Sequence, residues 1–190
     1  MSSRGLRGSE LEELINFTIR QYRKDKLAVL QKVPTPITPI RLDGHGHITL
    51  AYFEQKSTVD YIGNVQGIPV CFDAKECKTD TFPLANIHAH QMEFMKDFQE
   101  QDGIAFYLLY FSSRREYYYL SYDEAEYYWN RMLAGGRKSF RYDELKPAHF
   151  LQEKNGIRIL EGIQKYLEEK EKKEDNTAVV NRFWTRNQVF

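Results

Sequence analysis

The order of segments in this 190-residue chain predicts an α/β fold: a mixed central β-sheet flanked by helices, with a protruding β-stalk. Three observations carry that reading. Helical and extended patterns alternate along the chain. The segment "GIAFYLLYF" is apolar throughout, as a strand covered on both faces must be. The segment "PTPITPI" holds three prolines, which removes too many backbone donors for a central strand.

Each element follows in order. Residues 1–8 are polar and read as a mobile N-terminus. In "GSELEELINFTIRQYRKDKLAVLQKV", Ser9 is a good N-cap, with Glu12 three residues on as its capping-box partner. Leu11, Leu14, Ile15, Thr18 and Ile19 give one helical stripe, and "LAVLQKV" is a strand candidate. The proline segment then turns at "DGHG" and returns through "HITLAYF". Residues 33–52 therefore read as a projecting stalk. "IGNVQG" reads as a glycine-containing turn before the strand "IPVCFDAKEC". "FPLANIHAHQMEFMKDFQEQ" reads as a helix starting near Pro83. "REYYYLSYDEAEYYWNRML" passes from strand to helix, and "AGGRKSFRYDELK" is a loop with a basic tip. "RILEGIQKYLEEKEKKED" is a helix ending in a solvated charge run, and 170–190 form a C-terminal extension of indeterminate structure. The length suits one domain, 1–190, with a real core.

The charge balance is even, with 27 basic and 27 acidic residues, which argues against indiscriminate attraction to nucleic acid. The distribution is uneven: residues 1–42 carry eight basic residues, Lys32 and Arg41 among them, against four acidic ones. The two cysteines, Cys71 and Cys77, sit on one strand, separated by about 20 Å at roughly 3.3 Å per residue. They cannot bridge each other, and two reduced thiols in a cytoplasmic protein is the expectation. No long apolar run suggests a membrane span.

The chemistry concentrates in "TVDYIGNVQGIPVCFDAKECK". Alternation along a strand puts Cys71, Asp73, Lys75 and Cys77 on one face and Val70, Phe72, Ala74 and Glu76 on the other. Asp73 and Lys75 stand roughly 6–7 Å apart along the backbone, so both reach one small volume. Asp60 precedes the turn and can return alongside. Two converging carboxylates suit Mg²⁺. A neighbouring lysine can activate or orient the attacking water, or neutralise charge on a phosphorane-like transition state. This is a kit for metal-dependent phosphodiester hydrolysis. Three plainer readings stay open: a surface Asp73–Lys75 ion pair, Glu12 as nothing but a cap partner, and Glu76 with Lys78 as the acid–lysine pair instead. The histidine pairs "HGH" and "HAH" make poor zinc chelates in a turn and on a helix, where i and i+2 diverge.

The motifs "STVDY", "FDAKE", "FPLANIHAHQ" and "GGRKS", in this order and after the "KVPTPI" arm, resemble those of the RecU-type Holliday junction resolvases of Gram-positive bacteria and their phages. The resemblance covers roughly residues 8–140. It implies a PD-(D/E)xK restriction-endonuclease-like core and a homodimer that cuts four-way DNA junctions symmetrically with Mg²⁺, or with Mn²⁺. By the same resemblance Asp60 matches the first metal-binding acid, Asp73 the second and Lys75 the motif lysine. Thr58 matches the threonine just before the acid, and Glu12 the acid carried on the first helix. Gln91 matches a polar site residue on the helix after the catalytic strand. The arm around Pro34 to Thr49 matches the stalk that enters the junction centre. Lys32, Arg41, Lys56, Arg137 and Lys138 are the expected DNA contacts, and a recombinase or branch-migration helicase an expected partner. Two departures stand out: Asp73 replaces the usual Glu, and "DGHG" shortens the stalk. Alternative readings are a junction-binding scaffold with little cleavage and a related nuclease acting on other DNA.

Overall fold

A computed structural model of the chain describes residues 10–34, 37–53 and 58–174. At its centre is a six-stranded sheet. The strands are ordered β1 (Val29–Lys32), β4 (Tyr61–Val65), β5 (Ile68–Cys77), β7 (Ile104–Phe111), β8 (Glu116–Ser121) and β10 (Phe150–Leu151). β5 and β7 run parallel, and the other neighbouring pairs are antiparallel. The parallel pair requires a crossover, which α2 (Ala89–Glu100) supplies.

Helices cover both faces. α1 (Glu10–Lys24) and α4 (Ile159–Glu174) bury Leu11, Ile15, Ile163 and Leu167 against Tyr61, Phe72, Phe106 and Tyr119. On the other face α2 and α3 (Tyr122–Leu133) bury Met92, Met95, Ala125 and Tyr128 with Cys71, Tyr107, Leu109 and Leu120. All eight residues of β7 are buried, as its unbroken apolar run requires. On the α1/α4 face Tyr61, Phe72, Phe106 and Tyr119 stack in succession across four strands, with centroid spacings of 4.7, 4.9 and 4.4 Å. Such rows of rings stabilise a sheet through cross-strand pairs.

The proline segment and its return form a separate antiparallel ribbon, β2 (Ile37–Leu42) with β3 (Ile48–Phe53). Asp43 closes its tip. One oxygen, Oδ1, accepts from the backbone N–H groups of His45 (2.8 Å) and His47 (2.9 Å), and Oδ2 lies 2.9 Å from His47 Nδ1. These bonds hold the Asp43 carboxyl below its ordinary range. Gly46 takes the left-handed conformation, φ +83°, that the turn needs. Ile40, Leu42, Ile48, Leu50 and Tyr52 of the ribbon are between 47 and 59% exposed.

Two expectations change. "IGNVQG" is mostly strand: β4 covers Tyr61–Val65, and the turn shrinks to Gln66 and Gly67, both at positive φ as a tight two-residue hairpin requires. Gly63 sits inside the strand because β1 presses on it. A Cβ there would meet Val29 O at 2.0 Å, so glycine marks a close backbone approach and no turn. The helix expected from Pro83 begins at Ala89. Before it, β6 (Thr81–Pro83) pairs with β9 (Ser139–Arg141) inside the expected basic loop, with Phe82 stacked on Phe140 at 5.0 Å. The Ser9 cap, residues 1–8, Lys56 and most of the C-terminal extension lie outside the described residues. Among the described residues no helix is long and apolar enough to cross a membrane.

Candidate active site

The hairpin register sets the site. Tyr61 pairs with Phe72, so Asp60, one residue earlier, stands across from Asp73, one residue later. The Asp60 Oδ2 atom accepts the Ala74 N–H at 3.0 Å and is thereby pinned to the neighbouring strand. Asp73 is fully buried, at 0% exposure. Its Oδ1 accepts a 2.7 Å hydrogen bond from Gln91 Nε2. Its Oδ2 lies 2.5 Å from Lys75 Nζ as an ion pair and has no aligned hydrogen bond among the described residues.

Gln91 is positioned by its own helix. As the third residue of α2 it closes a capping box with His88, and its Oε1 accepts the His88 N–H at 3.2 Å. With the oxygen engaged there, the amide nitrogen is the group left to face Asp73. Below, Tyr107 is the parallel partner of Asp73 and directs its hydroxyl to Met92 Sδ at 3.3 Å, which seals the floor.

Burial dominates the electrostatics. It pushes the Asp73 carboxyl up to about 7; Lys75 pulls it down, and the adjacent Asp60 carboxylate pushes it up again. A buried acid beside a second acid is costly to ionise without a cation. The Cys71 thiol is pushed up to about 12 by burial and then by Asp73, which makes it inert as a nucleophile.

The donor set fits a hard divalent cation. Two carboxylates converge, and one of them carries a buried oxygen, Asp73 Oδ2, that lacks a hydrogen bond. Magnesium typically takes one or two carboxylates and completes its shell with water and phosphate. Among the described residues no three His, Cys, Asp or Glu side chains come together. Glu12 stands on α1, where Lys32 Nζ donates to it at 2.6 Å. Thr58 is exposed, two residues before Asp60 and next to the fully buried Val59.

The expected DNA contacts are scattered. Lys32 is engaged with Glu12 at the end of β1, and Arg41 is exposed on the ribbon. Arg137 is exposed and lies 3.8 Å from Glu144, and Lys138 is exposed beside it. The His45–His47 pair sits on the ribbon tip, and His88 and His90 stack with centroids 5.5 Å apart at the start of α2. Sequence reading passed over His88 as the cap that orients Gln91. The signal was the three-residue spacing from His88 to Gln91 at a helix start.

The fold and this site describe a nuclease-like α/β domain with a paired-acid, lysine-bearing strand. The family model for Recombination protein U matches residues 6–168, and the chain belongs to that family. It is 42% identical over 147 residues to a Holliday junction resolvase RecU of Bacillus licheniformis, covering 75% of this chain and 73% of the relative. It is 41% identical to the Holliday junction resolvase RecU of Bacillus subtilis, covering 76% and 71%. Among solved structures it is similar to Archaeoglobus fulgidus Hjc, a Holliday junction resolvase, with a TM-score of 0.38 and 12% identity, covering 61% of this chain and 78% of that one.

Proposed function

We propose that this chain is a junction-resolving endonuclease that works with Mg²⁺, or Mn²⁺, and cuts four-way DNA symmetrically as a homodimer. The observation that carries the reading is the buried Asp73, set against Asp60 and held on either side by Gln91 and Lys75. In a chain of this family, that arrangement supports a site for phosphodiester hydrolysis.

Each residue has a physical task. Asp60 and Asp73 would hold the cation, which when bound supplies Lewis-acid stabilisation of the scissile phosphate and a more acidic water. Gln91 fixes the Asp73 carboxylate in one orientation. Lys75 presents an ammonium beside the acids, placed to orient the attacking water and to offset charge developing on the phosphate. The buried floor under Asp73 excludes bulk water and strengthens these interactions. Two-fold symmetry in the protein would match that of a junction and put one site on each of two opposed strands. The exposed ribbon is the element shaped to enter the junction, with Arg41 on it.

The test uses purified protein, a labelled mobile four-way junction and a matched linear duplex, with Mg²⁺ or with EDTA. Paired nicks in opposed arms, present only with Mg²⁺ and only on the junction, are expected. Tight junction binding without nicks would replace this reading with a scaffold role. Efficient cutting of the linear duplex would make the protein a nuclease for other DNA.

A further inference from the structure

A second built feature lies away from the paired acids. A cavity of about 390 Å³ opens between α3, α4 and the segment around Lys146. Its volume is within the range of small-ligand sites. Tyr127, Tyr128 and Tyr166 contribute aromatic surface, and four carboxylates, Asp123, Glu124, Glu144 and Glu169, face two lysines, Lys146 and Lys170.

The charges are incompletely balanced. Glu169 is matched by Lys146 at 3.1 Å, and the nearby Glu144 by Arg131 at 2.6 Å. Asp123 and Glu124 are held by neutral phenols: Tyr166 donates to Asp123 at 3.1 Å, and Tyr118 donates to both oxygens of Glu124 at 2.9 and 3.0 Å. Among the described residues neither acid has a lysine or arginine within ion-pair distance. Beneath them lies His149, 1% exposed. Its Nε2 meets Glu169 at 2.7 Å, while its Nδ1 has no hydrogen-bond partner and faces Glu124 across 3.7 Å. A buried polar atom left this way is rare in a finished interior. His149 lies behind the lining, in contact with two of its acids, Glu124 and Glu169.

We infer that this cavity is a docking site for an arginine side chain on a basic segment of a partner protein. Four acids against two lysines leave the lining with excess negative charge, which disfavours phosphate and favours a basic protein segment over DNA. Flat rings beside unneutralised acids favour a guanidinium, which stacks and donates in a fixed fork, over the compact ammonium of lysine. The rings already accept one guanidinium: the Arg131 carbon lies 4.9 Å from the centre of the Tyr128 ring. The inference is independent of the cleavage chemistry, so success or failure in cutting junctions leaves it standing.

The test is an NMR titration of the full chain, labelled at histidine and tyrosine, with the capped peptide Gly-Ser-Arg-Ser-Gly. The same peptide with citrulline, which keeps the shape and loses the charge, is the control. Saturable shifts at His149 and Tyr127 are expected with the arginine peptide alone. Tyr127→Ala and Asp123→Asn each weaken that binding by roughly two- to tenfold. Tyr127 is 63% exposed, and asparagine keeps an acceptor for Tyr166, so both variants should fold, as circular dichroism would check. Absence of saturable shifts, equal binding of the citrulline peptide, or unchanged affinity in both variants would overturn the inference. So would a short DNA duplex that shifts the same signals. A Tyr127→Ala chain that sediments as a monomer where the natural chain is a dimer would assign the cavity to a second copy and likewise overturn it.

Discussion

The acid pair and the ribbon are built on opposite principles. Asp73 is fully buried beside α2, with Oδ1 bonded by Gln91 and Oδ2 in an ion pair with Lys75, on a strand paired along its length. The ribbon has strands on one side only, and its apolar side chains stand between 47 and 59% exposed. In the first region the fold has fixed atoms at the expense of stability. In the second it has left surface uncovered. Bond breaking needs preorganised groups, whereas engaging a branched substrate needs reach and free contact area.

The sharpest way to test the contrast is to remove charge from the buried region. Asp60→Asn and Asp73→Asn are each expected to lower the cleavage rate by about a thousandfold or more, while junction affinity in EDTA stays near that of the natural chain. Gel-shift and cleavage assays on one junction would show it. A variant that still cuts at near-natural rates would remove that acid from the site.

The same burial carries a pH signature. The folded Asp73 carboxyl, at about 7, binds its proton more tightly than it does in the unfolded chain, near 3.8. Between those values the unfolded chain is ionised and the folded one is not. Stability of the metal-free protein should therefore fall as pH rises from about 4 to about 7 and level off above. The full effect of one such group is at most on the order of 4 kcal/mol. Urea melts in EDTA across that window would reveal the slope, and Asp73→Asn should flatten it. An unchanged slope in the variant would place the titration elsewhere.

Gln91→Ala tests the grip itself. Losing a group that orients a metal-binding carboxylate costs roughly 10- to 100-fold in activity or metal affinity. Junction binding should not change. A loss of junction affinity equal to the loss of rate would instead make Gln91 a DNA contact.

The smallest effect is expected at the ribbon. Asp43→Ala removes two backbone hydrogen bonds at its tip but touches no core residue. The melting temperature should hold, while junction affinity falls by roughly three- to tenfold if the ordered ribbon supplies about 1 kcal/mol of contact. A large drop in melting temperature would contradict the separation between the regions.

Much of this was legible in the sequence. β7 declared itself by an apolar run that only a doubly covered strand tolerates. α4 reads as a helix ending in a charge run, and alternation along one strand places Asp73 with Lys75. What stayed hidden depended on neighbours distant in the chain. Gly63 and Asn64 look like turn residues, and only the pressure of β1 on Gly63 explains why they lie in β4. The late start of α2 depends on β6 pairing with β9, more than fifty residues downstream. The engagement of Glu12 with Lys32 depends on where α1 lies over β1, which periodicity does not encode.

The double bond pattern of Gln91 has a thermal consequence. One side chain both closes the first turn of α2 and holds Asp73 in place. Helix ends open more readily than sheet interiors. Each time that turn frays, the carboxylate loses its bond to Gln91 at the same instant and keeps only the ion pair with Lys75. Warming should therefore silence the protein several degrees before its sheet melts, and cooling should restore it without any refolding step.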